Sequence, residues 1–329
     1  MRLVLFASGE FAIPTFRWLL NSPHEIVRVV TQPDRMGGRG RHPLPTPVRQ
    51  MADERGLPVI AIDNVNAPTV LDELAGLNAR LGLVIAFGQK LGPRLTASRL
   101  DEPAGPIAPV FPSGCVNLHA SLLPRHRGAA PINYAILAGD GETGVTVFRL
   151  TQRMDGGSVL VTRRTGIKPE ETADELHDRL AGVGVDAVQA TFGLFEREAE
   201  PPGTPQPAEG VTRAPKLRKE DGYIDFARPA RTVANHVCAV WSWPGAVCEY
   251  VSMAGHRERV TLARARPVEL PGEPLAPGTL DRRLHVATQP GYVEVLEIKP
   301  ASGRLMSWRD FVNGRHVAPG DVLWRIEPL

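Results

Sequence analysis

The stretch CVNLHASLLPRHRGAAP, from Cys115 to Pro131, joins an apolar strand to a loop rich in Arg, Pro and Gly. Asn117 and His119 stand two residues apart, and alternate residues of a strand point to the same face of a sheet. Ligands of open parallel sheets bind beyond the carboxyl ends of the strands. The spacing therefore predicts that both side chains project into one crevice in which a ligand binds.

Outward from this strand, the first half of the chain alternates strands and helices. The runs RLVLFA, EIVRVVTQ and LGLVIAFG are predicted strands, and FAIPTFRWLL is a predicted helix. After the quoted stretch come two more predicted strands, TGVTVFRL and GSVLVTRRTGI, and a long helix from about Glu170 to Glu196. The pattern is typical of an α/β domain built on a parallel sheet that helices cover on both faces.

The second half of the chain has a different pattern. The segment EREAEPPGTPQPAEG is rich in Pro and Gly and lacks periodicity, which is typical of a linker. One predicted helix, ARTVANHVCAV, and several short strands such as GAVCEYV and GYVEVLEIKP follow it, which favours a small β-barrel. We therefore expect a catalytic domain at 1–200, a linker at 201–213 and a barrel domain at 214–329.

Composition indicates a globular protein, since 43% of the 329 residues are hydrophobic and 22% are charged. No stretch approaches the about 18 apolar residues of a membrane span, and MRLVLF is too short for a signal sequence, so we expect a cytoplasmic protein without membrane contact. Three scattered cysteines, Cys115, Cys238 and Cys248, argue against a disulfide framework or a zinc site. From residue 214 onward, 16 Lys and Arg stand against 13 Asp and Glu, a weak tilt toward an anionic partner.

A carboxylate in a Gly-rich turn extends the candidate site. An isolated Asn-x-His pair is more simply a capping Asn beside a structural His, and Asp155 in MDGGSVL could merely form a turn. A carboxylate near an imidazole, however, can hold its tautomer and raise its basicity. Taken together, Asn117, His119 and Asp155 form a candidate acid–base cluster.

Two further stretches carry weaker signals. FASGEFAIP lacks the glycines of a G-x-G-x-x-G turn, which disfavours an NAD-dependent oxidoreductase, although Ser8 and Gly9 could still bind an anion or simply start a helix. PDRMGGRGRHPLPTP concentrates basic residues among glycines and is predicted to be an exposed mobile loop. Such a loop is either solvated surface or a phosphate contact, which makes nucleic acid a reasonable partner.

In combination, the motifs TQPDRMGGRG, NLHASLLPRHRGAAPI, GDGETGVTVFRL with MDGGSVL, APKLRKEDGYIDF and WSWPGA resemble the methionyl-tRNA formyltransferase family, in the same order and over nearly the whole chain. The resemblance implies a Rossmann-like formyltransferase domain with a parallel-sheet core, joined to a C-terminal OB-like β-barrel that binds tRNA. It implies 10-formyltetrahydrofolate as formyl donor, methionyl initiator tRNA as acceptor, and no metal. We expect a monomer.

The resemblance also assigns site residues. It implies that Asn117, His119 and Asp155 are catalytic, with Asn117 and protonated His119 donating hydrogen bonds to an oxyanion while His119 and Asp155 move the proton. Residues implied for folate binding are Phe87, Gly88, Ser121, Leu122, Leu123 and Pro124. Residues implied for tRNA binding are Arg35, Arg39, Arg41 and His42.

The chain departs from the family pattern in places. Ala7 and Phe87 stand where the family usually has Gly and Tyr, His126 replaces a common aromatic residue, and the Pro-rich stretch 101–114 is longer than expected. That stretch is either a surface excursion or a lid. Three alternatives also stay open: a formyltransferase acting on another amine such as a nucleotide sugar, a hydrolase that releases formate, and a non-catalytic tRNA-binding protein.

Overall fold

The computed structural model describes residues 1–37, 42–97, 108–268 and 275–326. The chain forms two compact units, each assembled from separate stretches of sequence. The first unit comprises Met1–Gly128, Gly144–Thr165 and His177–Arg213, and the second comprises Ala129–Thr143, Gly166–Leu176 and Ala214–Leu329.

The predicted strands and helices occur in the predicted order, and further short elements that were not predicted lie between them. As far as residue 197, they are β1 (Arg2–Ala7), a 3-10 helix (Glu10–Ala12), α1 (Ile13–Leu20), β2 (Glu25–Thr31), β3 (Arg35–Gly37), β4 (His42–Leu44), α2 (Pro47–Glu54), β5 (Val59–Ala61), α3 (Pro68–Gly76), β6 (Leu81–Ile85), α4 (Pro93–Thr96), β7 (Cys115–His119), β8 (Arg127–Gly128), α5 (Pro131–Leu137), β9 (Glu142–Arg149), β10 (Val159–Gly166) and α6 (Ala173–Arg197). The later elements are β11 (Arg213–Ala214), a 3-10 helix (Lys219–Gly222), α7 (Ala230–Val240), β12 (Ala246–Val251), β13 (Arg257–Val268), β14 (Val286–Ala287), β15 (Tyr292–Pro300), β16 (Met306–Ser307), α8 (Trp308–Arg315) and β17 (Val322–Arg325).

A seven-stranded sheet forms the centre of the first unit, in the order β10-β9-β7-β6-β1-β2-β5. The pairs β1–β2, β1–β6, β6–β7 and β2–β5 are parallel, which confirms the predicted parallel core. β9 runs antiparallel to β7, so the sheet is mixed at that side. Apolar periodicity reports which residues are buried and does not specify strand direction.

Close packing fixes β7 beside β6. All five residues of β6 are buried, as expected for a strand covered on both faces. A Cβ added to Gly82 would lie 2.4 Å from the Cys115 sulfur, so only glycine allows this approach. Phe6 packs edge-to-face against Phe87 and Phe111, with ring centroids 5.6 and 6.1 Å apart. This apolar core supports the strand that carries Asn117 and His119.

The second unit contains an antiparallel sheet in the order β14-β15-β13-β12-β17, with β16 paired to β15. Single bridges link Leu280 to Val286 and Thr279 to Val322, and therefore connect β14 to β17 at the two ends of the sheet. The sheet is a nearly closed barrel, as the short strands predict. α7 has the predicted bounds and buries Val233, Val237 and Val240 in the core of this unit.

Candidate active site

β7 presents the two polar residues that the sequence singles out. Within the sheet, Asn117 pairs with Val84 of β6 and with Phe148 of β9, and His119 pairs with Thr146. Asn117 is half-buried, and within residues 1–37, 42–97, 108–268 and 275–326 its side-chain amide makes no hydrogen bond. His119 is only 7% exposed. The strand end therefore holds a free amide beside a buried imidazole.

A backbone carbonyl determines the tautomer of His119. The Nε2 atom of His119 lies 3.0 Å from the carbonyl oxygen of His126. A carbonyl oxygen only accepts hydrogen bonds, so Nε2 carries the hydrogen and Nδ1 of the neutral ring keeps its lone pair. The expectation that Asp155 holds the tautomer is therefore replaced by a role for the loop that follows β7.

Several hydrogen bonds hold that carbonyl in place. The Ser121 hydroxyl donates to the Arg125 carbonyl at 2.7 Å, which curls the loop 121–125. The His126 N–H donates to the Thr212 hydroxyl at 2.8 Å, and His126 has φ of 55°, in the left-handed region. His126 itself is buried. His126, which stands where the family commonly has an aromatic residue, thus orients the imidazole through its backbone.

Asp155 lies in the turn between β9 and β10. Its Oδ2 atom accepts a hydrogen bond from the Gly128 N–H at 2.7 Å. Asp155 has φ of 45°, a left-handed value that Asp adopts more readily than most residues. A Cβ on Gly157 would lie 1.8 Å from the Arg149 carbonyl oxygen, so the turn requires glycine there. The carboxylate is consequently held at the end of the loop that begins at His119.

Burial dominates the protonation of His119. Desolvation lowers the pKa of His119 from its ordinary value of 6.5, and the Asp155 carboxylate raises it without cancelling that effect. The His126 carbonyl also raises this pKa, and the His126 ring lowers it. The imidazole is therefore neutral near pH 7, which suits a general base. The basicity expected from Asp155 is present but is outweighed by burial.

The residues implied for folate binding lie in two segments of the first unit. Phe87 is buried against Phe6, and its carbonyl accepts a hydrogen bond from the Ser8 hydroxyl at 3.3 Å. Gly88 has φ of 84°, and a Cβ there would lie 2.7 Å from the Gln32 amide nitrogen. Ser121 is buried, whereas the three residues after it, Leu122, Leu123 and Pro124, are half-buried. Of this set, Gly88 is exposed, and those three residues expose part of their side chains.

The basic stretch forms a hairpin rather than an irregular loop. β3 and β4 are antiparallel, with Arg35 opposite Leu44 and Gly37 opposite His42. Arg35 and His42 are exposed, as predicted, whereas Arg39 and Arg41 lie outside the described residues. The hairpin follows β2, which β1 and β6 separate from β7 in the sheet. It is therefore a separate surface from the cluster at the end of β7.

Two residues that sequence reasoning missed also contribute to the site. Thr212 binds the backbone of His126, and the Gln206 amide donates to the carbonyl oxygens of Asp155 and Gly157. Both lie in the segment predicted as a linker, where Pro and Gly residues hide any periodic signal.

Among the described residues, no group of three His, Cys, Asp or Glu could hold a metal ion, and no helix is long and apolar enough to cross a membrane.

Two family models match the chain: "Formyl transferase" over residues 1–191 and "Formyl transferase, C-terminal domain" over residues 216–316. A methionyl-tRNA formyltransferase of Methylobacterium sp. (strain 4-46) is 38% identical over 98% of this chain and 99% of its own length. One of Symbiobacterium thermophilum is 40% identical over 97% of this chain and 94% of its own length.

Solved structures support the fold. WlaRD, a sugar 3N-formyltransferase crystallised with dTDP and 5-N-formyl-THF, has a TM-score of 0.63 at 12% identity, over 92% of this chain and 99% of its own. HypX from Aquifex aeolicus, in complex with tetrahydrofolic acid, has a TM-score of 0.57 at 18% identity, over 94% of this chain and 46% of its own. At such low identity these likenesses concern the fold alone. The family models and the full-length relatives go further, and the chain belongs to the formyltransferase family, in the group of methionyl-tRNA formyltransferases.

Proposed function

We propose that the chain transfers the formyl group of 10-formyltetrahydrofolate to the amino group of methionyl initiator tRNA, for translation initiation. The observation that carries the proposal is the match, over nearly the whole chain, to relatives named for this reaction. The end of β7 fits the reaction, since it combines the free amide of Asn117 with the free Nδ1 lone pair of His119. These are a hydrogen-bond donor and a base, the two groups that an acyl transfer needs.

The chemistry of the site follows from these two groups. When bound, the folate supplies a formyl carbon on N10, which the methionyl amine attacks. Asn117 donates a hydrogen bond to the oxygen that becomes negatively charged. His119 Nδ1 takes the proton that the amine loses and delivers it to N10 as the bond between N10 and the carbon breaks. Asp155 stabilises the imidazolium that forms between these two steps.

We assign the folate to the segments 87–88 and 121–124. Phe87 and Ser121 are buried, so they shape the pocket through the backbone, whereas Leu122, Leu123 and Pro124 offer half-buried apolar surface. A pteridine ring is flat and apolar on its faces, which suits such surface. The Ser8 hydroxyl donates to the Phe87 carbonyl at 3.3 Å and accepts from the Gln32 N–H at 3.0 Å, and so ties the first of these segments to the ends of β1 and β2.

We assign the tRNA to the β3–β4 hairpin and to the second unit. The basic residues of the hairpin stretch, Arg35, Arg39, Arg41 and His42, suit phosphate contacts, and Arg35 and His42 are exposed. The barrel from residue 214 onward carries the excess of Lys and Arg that favours an anionic partner. In this proposal the catalytic domain spans 1–200, the tRNA-binding domain spans 214–329, and the protein acts as a cytoplasmic monomer.

The test is an acceptor comparison with purified protein and radiolabelled 10-formyltetrahydrofolate. We expect label in methionyl initiator tRNA, and none in free methionine or in a dTDP-linked amino sugar. Label in the amino sugar alone would show that the acceptor is another amine and not methionyl initiator tRNA. Release of formate with no labelled acceptor would instead identify a hydrolase.

A further inference from the structure

Gln206 lies in the Pro- and Gly-rich segment 201–213, and its side chain reaches the turn that carries Asp155. We propose that Gln206, acting with Arg127, is a positioning residue that fixes Asp155 for the reaction at His119. This inference rests on the formyl transfer proposed above. In the proposed reaction neither residue moves a proton or binds the oxyanion. Their proposed role is to hold the Asp155 carboxylate, which acts on His119.

The backbone before Gln206 is anchored to the first unit at two points. Arg149, which is 2% exposed, donates from Nη2 to the Pro201 carbonyl at 2.8 Å. Thr204 and Val159 exchange two backbone hydrogen bonds of 2.8 Å each, which form an antiparallel bridge at the start of β10. Gln206 follows two residues later and is therefore held against the first unit.

The side-chain amide of Gln206 makes hydrogen bonds through both of its ends. Its nitrogen donates to the carbonyl oxygens of Asp155 and Gly157, each at 2.8 Å. Its oxygen accepts from Nε and Nη2 of Arg127, at 3.2 and 2.5 Å. Both amide hydrogens and the oxygen are thereby engaged, which fixes the orientation of the group.

Arg127 links Gln206 to the strand residue, Gly128, that binds the Asp155 carboxylate. Its guanidinium belongs to a residue that is only 7% exposed, and its N–H donates to the Thr212 carbonyl at 2.9 Å. The next residue, Gly128, donates its N–H to the Asp155 carboxylate at 2.7 Å. Asp155 is therefore held at its backbone by Gln206 and at its carboxylate by Gly128, and Arg127 joins the two.

The turn needs such support because its own backbone is permissive. Asp155 occupies the left-handed region with φ of 45°, and the next two residues are glycines. Asp adopts that region more readily than most residues, and glycines are freer still, so the backbone itself does not fix the turn and contacts from outside it must. Without Gln206, the turn loses two of the contacts that keep the carboxylate near His119.

The test combines Gln206→Met, which keeps the length of the side chain and removes its hydrogen bonds, with Gln189→Met as a control. Gln189 is exposed on α6. We expect Gln206→Met to lower kcat for formyl transfer by up to about 100-fold with the KM values for folate and tRNA unchanged. Amide exchange at Gly128 should become faster in this variant, and Gln189→Met should match the wild type in every measurement.

A double variant separates positioning from a merely structural role. In the Asp155→Asn background, Gln206→Met should change kcat by less than about twofold, since the group that it positions is already disabled. A loss that adds in full to that of Asp155→Asn, or a wild-type kcat in the single variant, would overturn the proposal.

Two further measurements keep the test decisive. If Gln206→Met fails to fold, Gln206→Glu keeps an acceptor for Arg127 and loses the donors to the turn, and we expect the same fall in kcat. Wild-type protein that forms no formylmethionyl-tRNA would refute the proposed function instead. Exchange at Gly128 would then still decide the inference, because unchanged exchange in Gln206→Met means that Gln206 does not hold Asp155.

Discussion

The end of β7 and the β3–β4 hairpin are built in opposite ways. His119, His126 and Arg127 are buried, and hydrogen bonds to the loop after β7 and to the segment 201–213 hold them in place. On the hairpin, Arg35 and His42 are exposed, and Met36 and Leu44 are 63% and 52% exposed. The end of β7 is held by contacts within the protein, whereas the β3–β4 hairpin exposes basic side chains that a partner can contact.

The difference follows from what each region is proposed to do. A base and an oxyanion donor contribute most when they are fixed before the substrate arrives, since no reorganisation is then required in the transition state. Phosphate contacts are electrostatic and tolerate variation in geometry, so exposed guanidinium groups suffice for them. We therefore expect changes at the end of β7 to lower kcat and changes on the hairpin to weaken tRNA binding.

The largest effect is expected from His119→Ala. Removing the base should lower kcat by about 10³-fold, within the range for general base catalysis. Single-turnover transfer to methionyl initiator tRNA measures this loss, and folate binding measured by fluorescence serves as the control. Retention of more than a tenth of the wild-type kcat would show that His119 is not the base.

Asn117→Ala should have the next largest effect, a fall in kcat of about 10²-fold, because it removes one oxyanion donor. The KM for tRNA should stay unchanged, since Asn117 is at the end of β7 rather than on the hairpin. A change in KM alone would indicate that Asn117 binds substrate without stabilising the oxyanion.

The same substitution in both regions sharpens the contrast. In Gly157→Ala the new Cβ meets the Arg149 carbonyl oxygen at 1.8 Å, and we expect a loss of about 2 kcal/mol in the free energy of unfolding. In Gly37→Ala it meets the Leu44 side chain at 2.7 Å, which is exposed and can move, so a loss below about 0.5 kcal/mol is expected. Denaturant titration of the two variants compares the losses directly. Equal losses would contradict the difference in rigidity between the two regions.

Arg39→Ala/Arg41→Ala should raise the KM for tRNA about tenfold and leave kcat nearly unchanged. Each lost phosphate contact should also reduce the salt dependence of tRNA binding, by about 0.9 in the slope of log K against log salt on a duplex stem. Arg163→Ala/Arg164→Ala, at two exposed positions of β10, is the charge-matched control. If the two double variants behave alike, net charge rather than the hairpin determines affinity.

The smallest effect is expected in the pH dependence of kcat. The base acts when neutral, and burial lowers the pKa of His119 below 6.5, so kcat should hold as the pH falls through 6.5 and decline only below it. Asp155 raises this pKa, so Asp155→Asn should move the acidic limb to still lower pH. A limb in the variant that moves to higher pH would contradict this arrangement of charges.

Much of the fold could be predicted from the sequence. The predicted helix over Ala230–Val240 is α7 to the residue, and the strands RLVLFA and LGLVIAFG correspond to β1 and β6. α8 was not predicted, because its polar residues and Gly314 weaken the helical pattern. Its Ser307 cap, which accepts from the Asp310 N–H at 3.1 Å, was the available signal.

The candidate site was predictable only in part. Asn117, His119 and Asp155 come from the motifs: Asn117 and His119 stand on one face of a strand end, and the family resemblance adds Asp155, which alone would be an ordinary turn residue. Gln206 and Thr212 could not be predicted, since a polar residue in a Pro- and Gly-rich stretch gives no periodic signal. Their partners, Asp155 and His126, lie 51 and 86 residues away along the chain.

By itself, the sequence determined most of the elements that form and which residues are candidates for the chemistry. Burial patterns and short motifs are local properties of the sequence, so they can be recognised without knowledge of the fold. Only the tertiary structure decided that the His126 carbonyl selects the tautomer of His119, that burial keeps the ring neutral, and that Gln206 meets the Asp155 turn. Tautomer, pKa and orientation depend on neighbours that are brought together through space, so no local pattern encodes them.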